Sequence, residues 1–108
     1  MIRAFAVGAA ALFLSPLLLA GPTVADEVVV RIEKNRFDPA RVAVRPGDTV
    51  VWLNAEKRTS HDVVFADGVA SERLMPEERF ARRFDAPGSH PYRCTPHPDM
   101  RGEVVVEP

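Results

Sequence analysis

From residue 26 onward the chain consists of short apolar segments separated by turn residues. Several segments are rich in β-branched residues or alternate polar and apolar side chains, the pattern of half-buried strands. Typical turn sequences such as Pro46-Gly47-Asp48 and Ala66-Asp67-Gly68 stand between them. The pattern predicts strands at residues 28–32, 41–45, 49–54, 61–65, 79–84, 90–94 and 102–106.

Other segments carry a weaker signal. Residues 34–38 are predicted to form a turn or short loop, and residues 69–78 permit a short helical turn that Met75-Pro76 ends. Pro91 favours an edge position or a strand start for its segment. The arginines at 79, 82 and 83 are predicted to form a solvated edge, with an electrostatic docking surface as the alternative. Six to eight short strands without a long helix predict an all-β, Greek-key β-sandwich.

The first 25 residues follow a different pattern. Arg3 precedes an almost entirely apolar run over residues 4–19, and small residues lead to Ala25, a plausible cleavage point. These are the three parts of a secretory signal peptide. An uncleaved membrane anchor is the alternative, but the run contains Pro16 and is shorter than the roughly 20 residues that span a bilayer. The sequence therefore predicts a signal peptide at 1–25 and one domain at 26–108.

Charge and cysteine content narrow the function. Of the 14 basic and 15 acidic side chains only Arg3 precedes Asp26, so the domain is slightly acidic and has no basic block. This composition gives nucleic-acid binding no electrostatic support. Cys94 is the single cysteine, so no intramolecular disulfide is possible. A lone thiol in an oxidising compartment survives if it is buried or bound, and a metal is the economical explanation.

Cys94, His97 and Met100 place a thiolate, an imidazole and a thioether on one short loop. Loops cluster at the two ends of an antiparallel sandwich, so His61, which follows a polar loop, can lie at the same end. Two imidazoles and a thiolate with a weak axial thioether form the trigonal blue-copper arrangement. Prolines on either side of His97 remove backbone freedom from the loop. The sequence predicts one copper ion held by His61, Cys94, His97 and Met100.

The same residues resemble the small cupredoxins, the type 1 blue copper proteins. The short spacing from Cys94 to Met100 is more similar to amicyanins than to plastocyanins or pseudoazurins, whose loops are longer. The resemblance extends over residues 26–107, and its most specific parts are His61, Cys94-x-x-His97-x-x-Met100, the strand segment 46–54 and the C-terminal segment 100–107.

The resemblance implies a soluble, monomeric, periplasmic protein that is not an enzyme and shuttles single electrons between redox partners. Amicyanins accept electrons from methylamine dehydrogenase and pass them to c-type cytochromes, so a c-type cytochrome and a dehydrogenase are the implied partners. Membrane contact is expected only through the signal peptide before cleavage. Two positions depart from the amicyanin pattern: Asp62 replaces an Asn, and Asp99 replaces an aromatic residue. A carboxylate at Asp99 alters the apolar docking patch expected beside His97.

Two other functions and one other metal remain open on the sequence alone. A periplasmic copper chaperone or buffer would use the same ligands and release its metal. A Cys–His enzyme is a third class, but it leaves Met100 without a role and no substrate pocket is evident. Zinc could occupy a Cys-His-His site, although the thioether and the affinity order of divalent metals favour copper.

Overall fold

The computed structural model describes residues 25–108, and the predicted signal peptide therefore lies outside the described residues except for Ala25. Two four-stranded sheets pack face to face, in the orders β2-β1-β4-β6 and β3-β8-β7-β5. The eight strands are β1 (Glu27–Glu33), β2 (Arg36–Asp38), β3 (Arg41–Val44), β4 (Asp48–Asn54), β5 (Val64–Phe65), β6 (Arg79–Phe84), β7 (Gly88–Arg93) and β8 (Arg101–Val106). The all-β Greek-key sandwich predicted from the sequence is confirmed. Within residues 25–108 no helix is long and apolar enough to cross a membrane.

Strands that are distant in the sequence are neighbours in each sheet. β1 runs parallel to β4, and β3 runs parallel to β8, whereas β4–β6 and β7–β8 are antiparallel pairs. β7 and β8 are therefore adjacent and joined by a single connection at one end of the molecule. That connection is residues 94–100, the segment in which the sequence concentrates its donor atoms.

Alternating side chains from both sheets form the core around Trp52. This indole is fully buried and lies against four other aromatic rings, with centroid separations of 5.3–6.4 Å. These rings are Phe65, Phe80, Phe84 and Tyr92. Edge-to-face and offset contacts of this kind stabilise a core beyond the area that they bury. The packing fixes the strands that carry the metal-end loops.

Three predicted segments differ from the structure in their secondary structure. Residues 36–38, predicted as loop, form β2 against β1, with Phe37 buried between exposed neighbours. The sequence did not reveal this strand because three residues are too few to show a period. The strand predicted at 61–65 is reduced to β5, and His61 instead makes an isolated bridge to Leu74. Residues 69–78 contain no helix, because bridges at Ala70 and Leu74 extend the chain.

Pro91 lies inside β7, which has β8 on one side and β5 on the other. β5 pairs only with Tyr92 and Arg93, so Pro91 lies just past its end. The Pro91 carbonyl accepts a hydrogen bond from Ala66 N–H at 3.2 Å on that side. The Pro91 nitrogen, which has no hydrogen to donate, faces the same side, where β5 offers no partner. Pro91 therefore lies inside a central strand, and not at an edge or a strand start as predicted, but at a point where the missing N–H costs no hydrogen bond.

The arginines of β6 do not form one solvated edge as predicted. Arg79 and Arg83 are exposed, whereas the Arg82 side chain is 18% exposed and points into the gap between the two edge strands. Its guanidinium lies over the rings of Phe65 at 4.5 Å and Phe84 at 4.8 Å and pairs with Asp67 at 2.7 Å. An inward-pointing charge on an edge strand opposes edge-to-edge association while its stem covers apolar surface.

Candidate metal centre

His61 follows the loop after β4 and is positioned by backbone and side-chain hydrogen bonds. Its N–H donates to Leu74 O at 3.1 Å, and Leu74 N–H donates back to His61 O at 2.7 Å. Fully buried Asn54 donates from Nδ2 to Thr59 O and to Leu74 O, both at 2.9 Å. One amide group thus fixes the loop that precedes His61 and the segment that pairs with it.

The 94–100 loop is closed by its own backbone. Cys94 N–H donates to Met100 O at 3.0 Å, and Met100 N–H donates to His97 O at 2.8 Å. The ends of β7 and β8 therefore hold Cys94 and Met100 in opposed positions, and the exposed Pro96 and Pro98 flank His97. Three donor side chains are gathered on a short segment at little cost in loop-closure entropy.

The side chains of His61, Cys94 and His97 converge at this end of the sandwich. The Cys94 sulfur lies 3.6 Å from His61 Nδ1 and 3.8 Å from His97 Nδ1, and one donor atom from each residue lies within 4.8 Å of the others. Metal bonds of about 2.0–2.3 Å to nitrogen and sulfur, meeting near a trigonal angle, separate their donor atoms by roughly 3.6 Å. The spacing and chemistry of these residues fit a bound metal ion.

Burial differs among the four residues that the sequence predicts as ligands. His61 and Cys94 are fully buried, Met100 is 4% exposed and packs in the core cluster, and His97 is partly exposed on the loop. Met75, the other methionine of the domain, is 50% exposed and lies beyond Leu74. Protein therefore shields the centre on every side but that of His97.

Glu56 is a site residue that sequence reasoning missed. Its Oε2 lies 2.8 Å from His61 Nε2 and accepts a hydrogen bond from Asn35 N–H at 3.0 Å. Partial burial opposes ionisation, but the hydrogen bonds from Asn35 and His61 outweigh it and lower the pKa of Glu56. The ionised carboxylate holds the proton of His61 on Nε2 and leaves Nδ1 free to bind a metal. Glu56 lies in an irregular loop, so no periodic pattern in the sequence could have identified it as a site residue.

The surroundings of Cys94 set the state of its thiol. Burial raises the pKa of Cys94, and the negative charge of Asp62 raises it further. The backbone N–H groups of Asp62 and His97 act in the opposite direction, because they favour the thiolate, but the net pKa is raised. A metal ion opposes the net rise, because a coordinating thiol is deprotonated outright. The backbone N–H groups of Asp62 and His97 then help to stabilise the negative charge of the thiolate.

Comparison with known proteins agrees with this geometry. The copper-binding protein family that contains plastocyanin and azurin matches residues 24–107. The chain belongs to this family, the cupredoxins. It is an amicyanin-like cupredoxin, a blue copper electron carrier and not an enzyme, and its cofactor is one type 1 copper ion.

Amicyanins are prominent among the relatives of this cupredoxin. The chain is 40% identical over 89 residues to amicyanin of Paracoccus versutus, covering 77% of this chain and 67% of that protein. It is 35% identical to amicyanin-alpha of Methylorubrum extorquens over 96% of this chain and 97% of that one. The chain thus spans about two thirds of the Paracoccus protein and nearly all of the Methylorubrum protein.

Solved amicyanin structures share the fold of this cupredoxin. A reduced Cu(I) form of an amicyanin variant superposes with a TM-score of 0.70 at 34% identity, over 82% of this chain and 88% of that chain. An oxidised amicyanin variant gives a TM-score of 0.71 at the same identity and coverage. The family resemblance inferred from the ligand motif and strand segments is confirmed.

The carboxylate of Asp62 links the two segments that form the metal centre of this cupredoxin. Its Oδ1 accepts a hydrogen bond from Thr95 N–H at 2.7 Å, and the Asp62 backbone lies near enough to the Cys94 sulfur to act on the pKa of that thiol. The side chain thereby holds the 94–100 loop against the His61 segment. It also places a negative charge close to the thiolate.

We expect Asp62→Asn to raise the reduction potential by tens of millivolts. An Asn oxygen still accepts from Thr95 N–H, so the loop is retained, but the negative charge that stabilises the more positively charged oxidised centre is removed. Voltammetry of the two proteins measures the shift. Asp99→Asn is the matched control, since that carboxylate is exposed and better screened, and its shift should be smaller. An equal shift in both variants, or a fall for Asp62→Asn, would refute this role.

Proposed function

We propose that His61, Cys94, His97 and Met100 hold one copper ion and that the domain carries single electrons between protein partners. The convergence of the Cys94 sulfur with both imidazole Nδ1 atoms at 3.6 and 3.8 Å is the observation that carries the proposal. A thiolate with two imidazoles selects a soft or borderline metal, and an axial thioether favours copper over zinc. Met100, buried where the loop joins β8, would supply the thioether to the same ion.

Copper supplies a one-electron couple, and the residues of this chain supply a site that need not rearrange. Asn54, Glu56 and the backbone bridge to Leu74 fix His61, while the 94–100 loop closes on itself through Met100. A rigid site built from sheet ends lowers the reorganisation that accompanies a change of charge. The partly exposed ring of His97 is one point at which an electron can enter or leave.

Retention of the metal distinguishes the carrier from a copper chaperone or buffer. Cys94 and His61 have no exposed surface, and Asn54 and Glu56 lock His61 in place. Release of copper would require the loop at 94–100 or the His61 segment to open. This burial favours an electron carrier over a protein that gives its metal away.

The proposed location and partners follow from the export signal and the relatives. We propose that residues 1–25 are a cleaved signal peptide and that residues 26–108 act as a periplasmic monomer. The acceptor in this proposal is a c-type cytochrome, and the donor is a dehydrogenase of the kind implied by the amicyanin resemblance. Exposed Asp99 lies two residues after His97, so a donor must accommodate a carboxylate beside the exposed ring.

The optical and electron paramagnetic resonance spectra of the Cu(II)-loaded protein test the ligand assignment. We expect an intense blue absorption from the thiolate and a small copper hyperfine splitting, both features of a trigonal Cys-His-His site. A Met100→Leu variant should stay blue with an altered potential, because the axial contact is weak. A colourless, tetragonal Cu(II) spectrum in the wild-type protein would contradict the ligand set.

Pro96→Ala should raise the reduction potential by tens of millivolts. Pro96 has no N–H, whereas an alanine would offer the Cys94 sulfur a further donor beside those of Asp62 and His97. The thiolate carries more negative charge in the reduced state, so an added hydrogen bond stabilises that state. Voltammetry measures the midpoint, and a retained blue band shows that the ligands are unchanged. An unchanged or lowered midpoint would count against this explanation.

A further inference from the structure

A groove of about 450 Å³ lies beside the His61 segment, between the turn after β1 and the loop that follows β4. Three exposed cations line it: Lys34 from the first element, and Lys57 and Arg58 from the second. Lys57 and Arg58 occupy the bend of the loop that Asn54 fixes through Thr59. The groove is thus a defined surface at the metal end.

The two carboxylates that line the groove are already engaged. Glu33 pairs with Arg31 at 3.0 Å, and Glu56 accepts from Asn35 N–H and contacts His61. Within residues 25–108 no carboxylate lies at ion-pair distance from Lys34, Lys57 or Arg58.

Half of the ten cations elsewhere in the described chain have such partners, whereas Arg36, Arg73, Arg79, Arg93 and Arg101 form no ion pair. Five arginines form ion pairs with carboxylates at 2.7–3.4 Å, namely Arg31, Arg41, Arg45, Arg82 and Arg83. The groove therefore presents a local excess of positive charge on a domain whose overall charge is slightly negative. An uncompensated patch of one sign steers partners of the opposite sign toward it.

We propose that this groove is a docking surface for the acidic face of a redox protein that exchanges electrons with the metal centre. The proposal rests on the proposed electron-carrier function. Carboxylates of the partner would pair with Lys57 and Arg58, with Lys34 closing the other side. Charge complementarity of this kind sets the association rate and the choice of partner more than the final affinity.

The position of Glu56 argues for a redox partner over other acidic ligands. Glu56 lines the groove and lies 2.8 Å from His61 Nε2, and His61 Nδ1 lies 3.6 Å from the Cys94 sulfur. A protein seated in the groove is therefore separated from the metal ligands by a single carboxylate side chain. Binding at this place brings a second redox centre toward the first.

A matched pair of redox proteins tests the proposal: native cytochrome c, which is basic, and the same cytochrome with its lysines succinylated, which is acidic. Stopped-flow mixing measures electron transfer between each cytochrome and the copper-loaded full domain at low ionic strength. We expect the wild-type protein to react faster with the acidic cytochrome. Lys57→Glu with Arg58→Glu should slow that reaction about tenfold and speed the reaction with the basic one, and salt should remove both differences.

Arg45→Glu with Arg83→Glu is the control, because it makes the same change of net charge with exposed arginines at the opposite end of the sandwich. This control should keep most of the preference for the acidic cytochrome. Equal effects of the two double variants, or no effect of either, would refute the docking proposal but would not contradict the proposed electron-carrier function. A wild-type protein that shows no preference for the acidic cytochrome, yet binds phosphatidylglycerol vesicles through Lys57 and Arg58, would identify a membrane surface as the occupant and would also overturn the proposal.

The wild-type blue band and voltammetric wave separate this failure from failure of the carrier function. If both are present and only the cytochrome preference is insensitive to Lys57 and Arg58, the docking surface alone is wrong. If the wild-type protein shows no reversible copper couple, the carrier function is wrong and the docking proposal falls with it.

Discussion

Cys94→Ser should abolish the blue colour of the copper protein completely. The colour arises from charge transfer between the thiolate and Cu(II), and Cys94 is the single sulfur donor of this type in the chain. Loss of residues that merely support metal ligands costs 10–100-fold in affinity, so loss of this ligand should weaken copper binding by at least about 100-fold. Visible absorption and competition with a copper chelator measure the two effects.

Met75→Leu is the control for the loss of a sulfur-containing side chain. Met75 is 50% exposed and lies outside the group of converging donors, so its replacement should leave both colour and affinity unchanged. A Cys94→Ser protein that stayed blue would show that the thiolate is not a ligand. A Met75→Leu protein that lost its colour would show that the donor set has been assigned wrongly.

Gly102→Ala should destabilise the copper-loaded protein by about 3 kcal/mol, which corresponds to a fall in Tm of more than about 10 °C. A methyl group at this position would lie 2.3 Å from both Cζ and Oη of Tyr92. Tyr92 faces Gly102 across the β7–β8 pair and is 3% exposed among the core rings, so it has little room to move. Thermal unfolding followed by circular dichroism measures the change.

A double-mutant cycle with Tyr92→Leu isolates the steric cause. Removing the ring should allow a methyl group at Gly102, so that Gly102→Ala costs less than half as much in the Tyr92→Leu background as in the wild type. An equal cost in both backgrounds would mean that the backbone at Gly102, and not the Tyr92 ring, requires glycine.

Alternation and β-branched content were together sufficient to predict the class of fold: β3 buries alternate residues, whereas β4, rich in β-branched and aromatic residues, is buried on both faces. The segment 49–54 falls within β4, whose buried residues include Trp52, and residues 102–106 fall within β8. The period fails for β2 and β5, which contain three and two residues and show no repeat. Their pairing depends on partners distant in sequence, which local pattern does not reveal.

The sequence could propose a set of donor residues because three of them lie within one short loop, and the structure brings His61, Cys94 and His97 together. The supporting residues could not be proposed in this way, since their roles arise from tertiary contacts. Glu56 lies five positions before His61 and reaches its Nε2 only because the loop folds back on Asn54. Arg82 looked like part of an exposed charged edge, and only the packing of Phe65 and Phe84 shows it to be partly buried.

Repeated cyclic voltammetry of the copper-loaded protein tests the central claim, that this domain retains copper and carries one electron. The buried, hydrogen-bonded positions of His61 and Cys94 predict a reversible one-electron wave whose amplitude persists over many cycles in the presence of a Cu(I) chelator. A wave that decays as the chelator removes copper, or an irreversible wave, would contradict the electron-carrier function and favour a protein that delivers or stores copper.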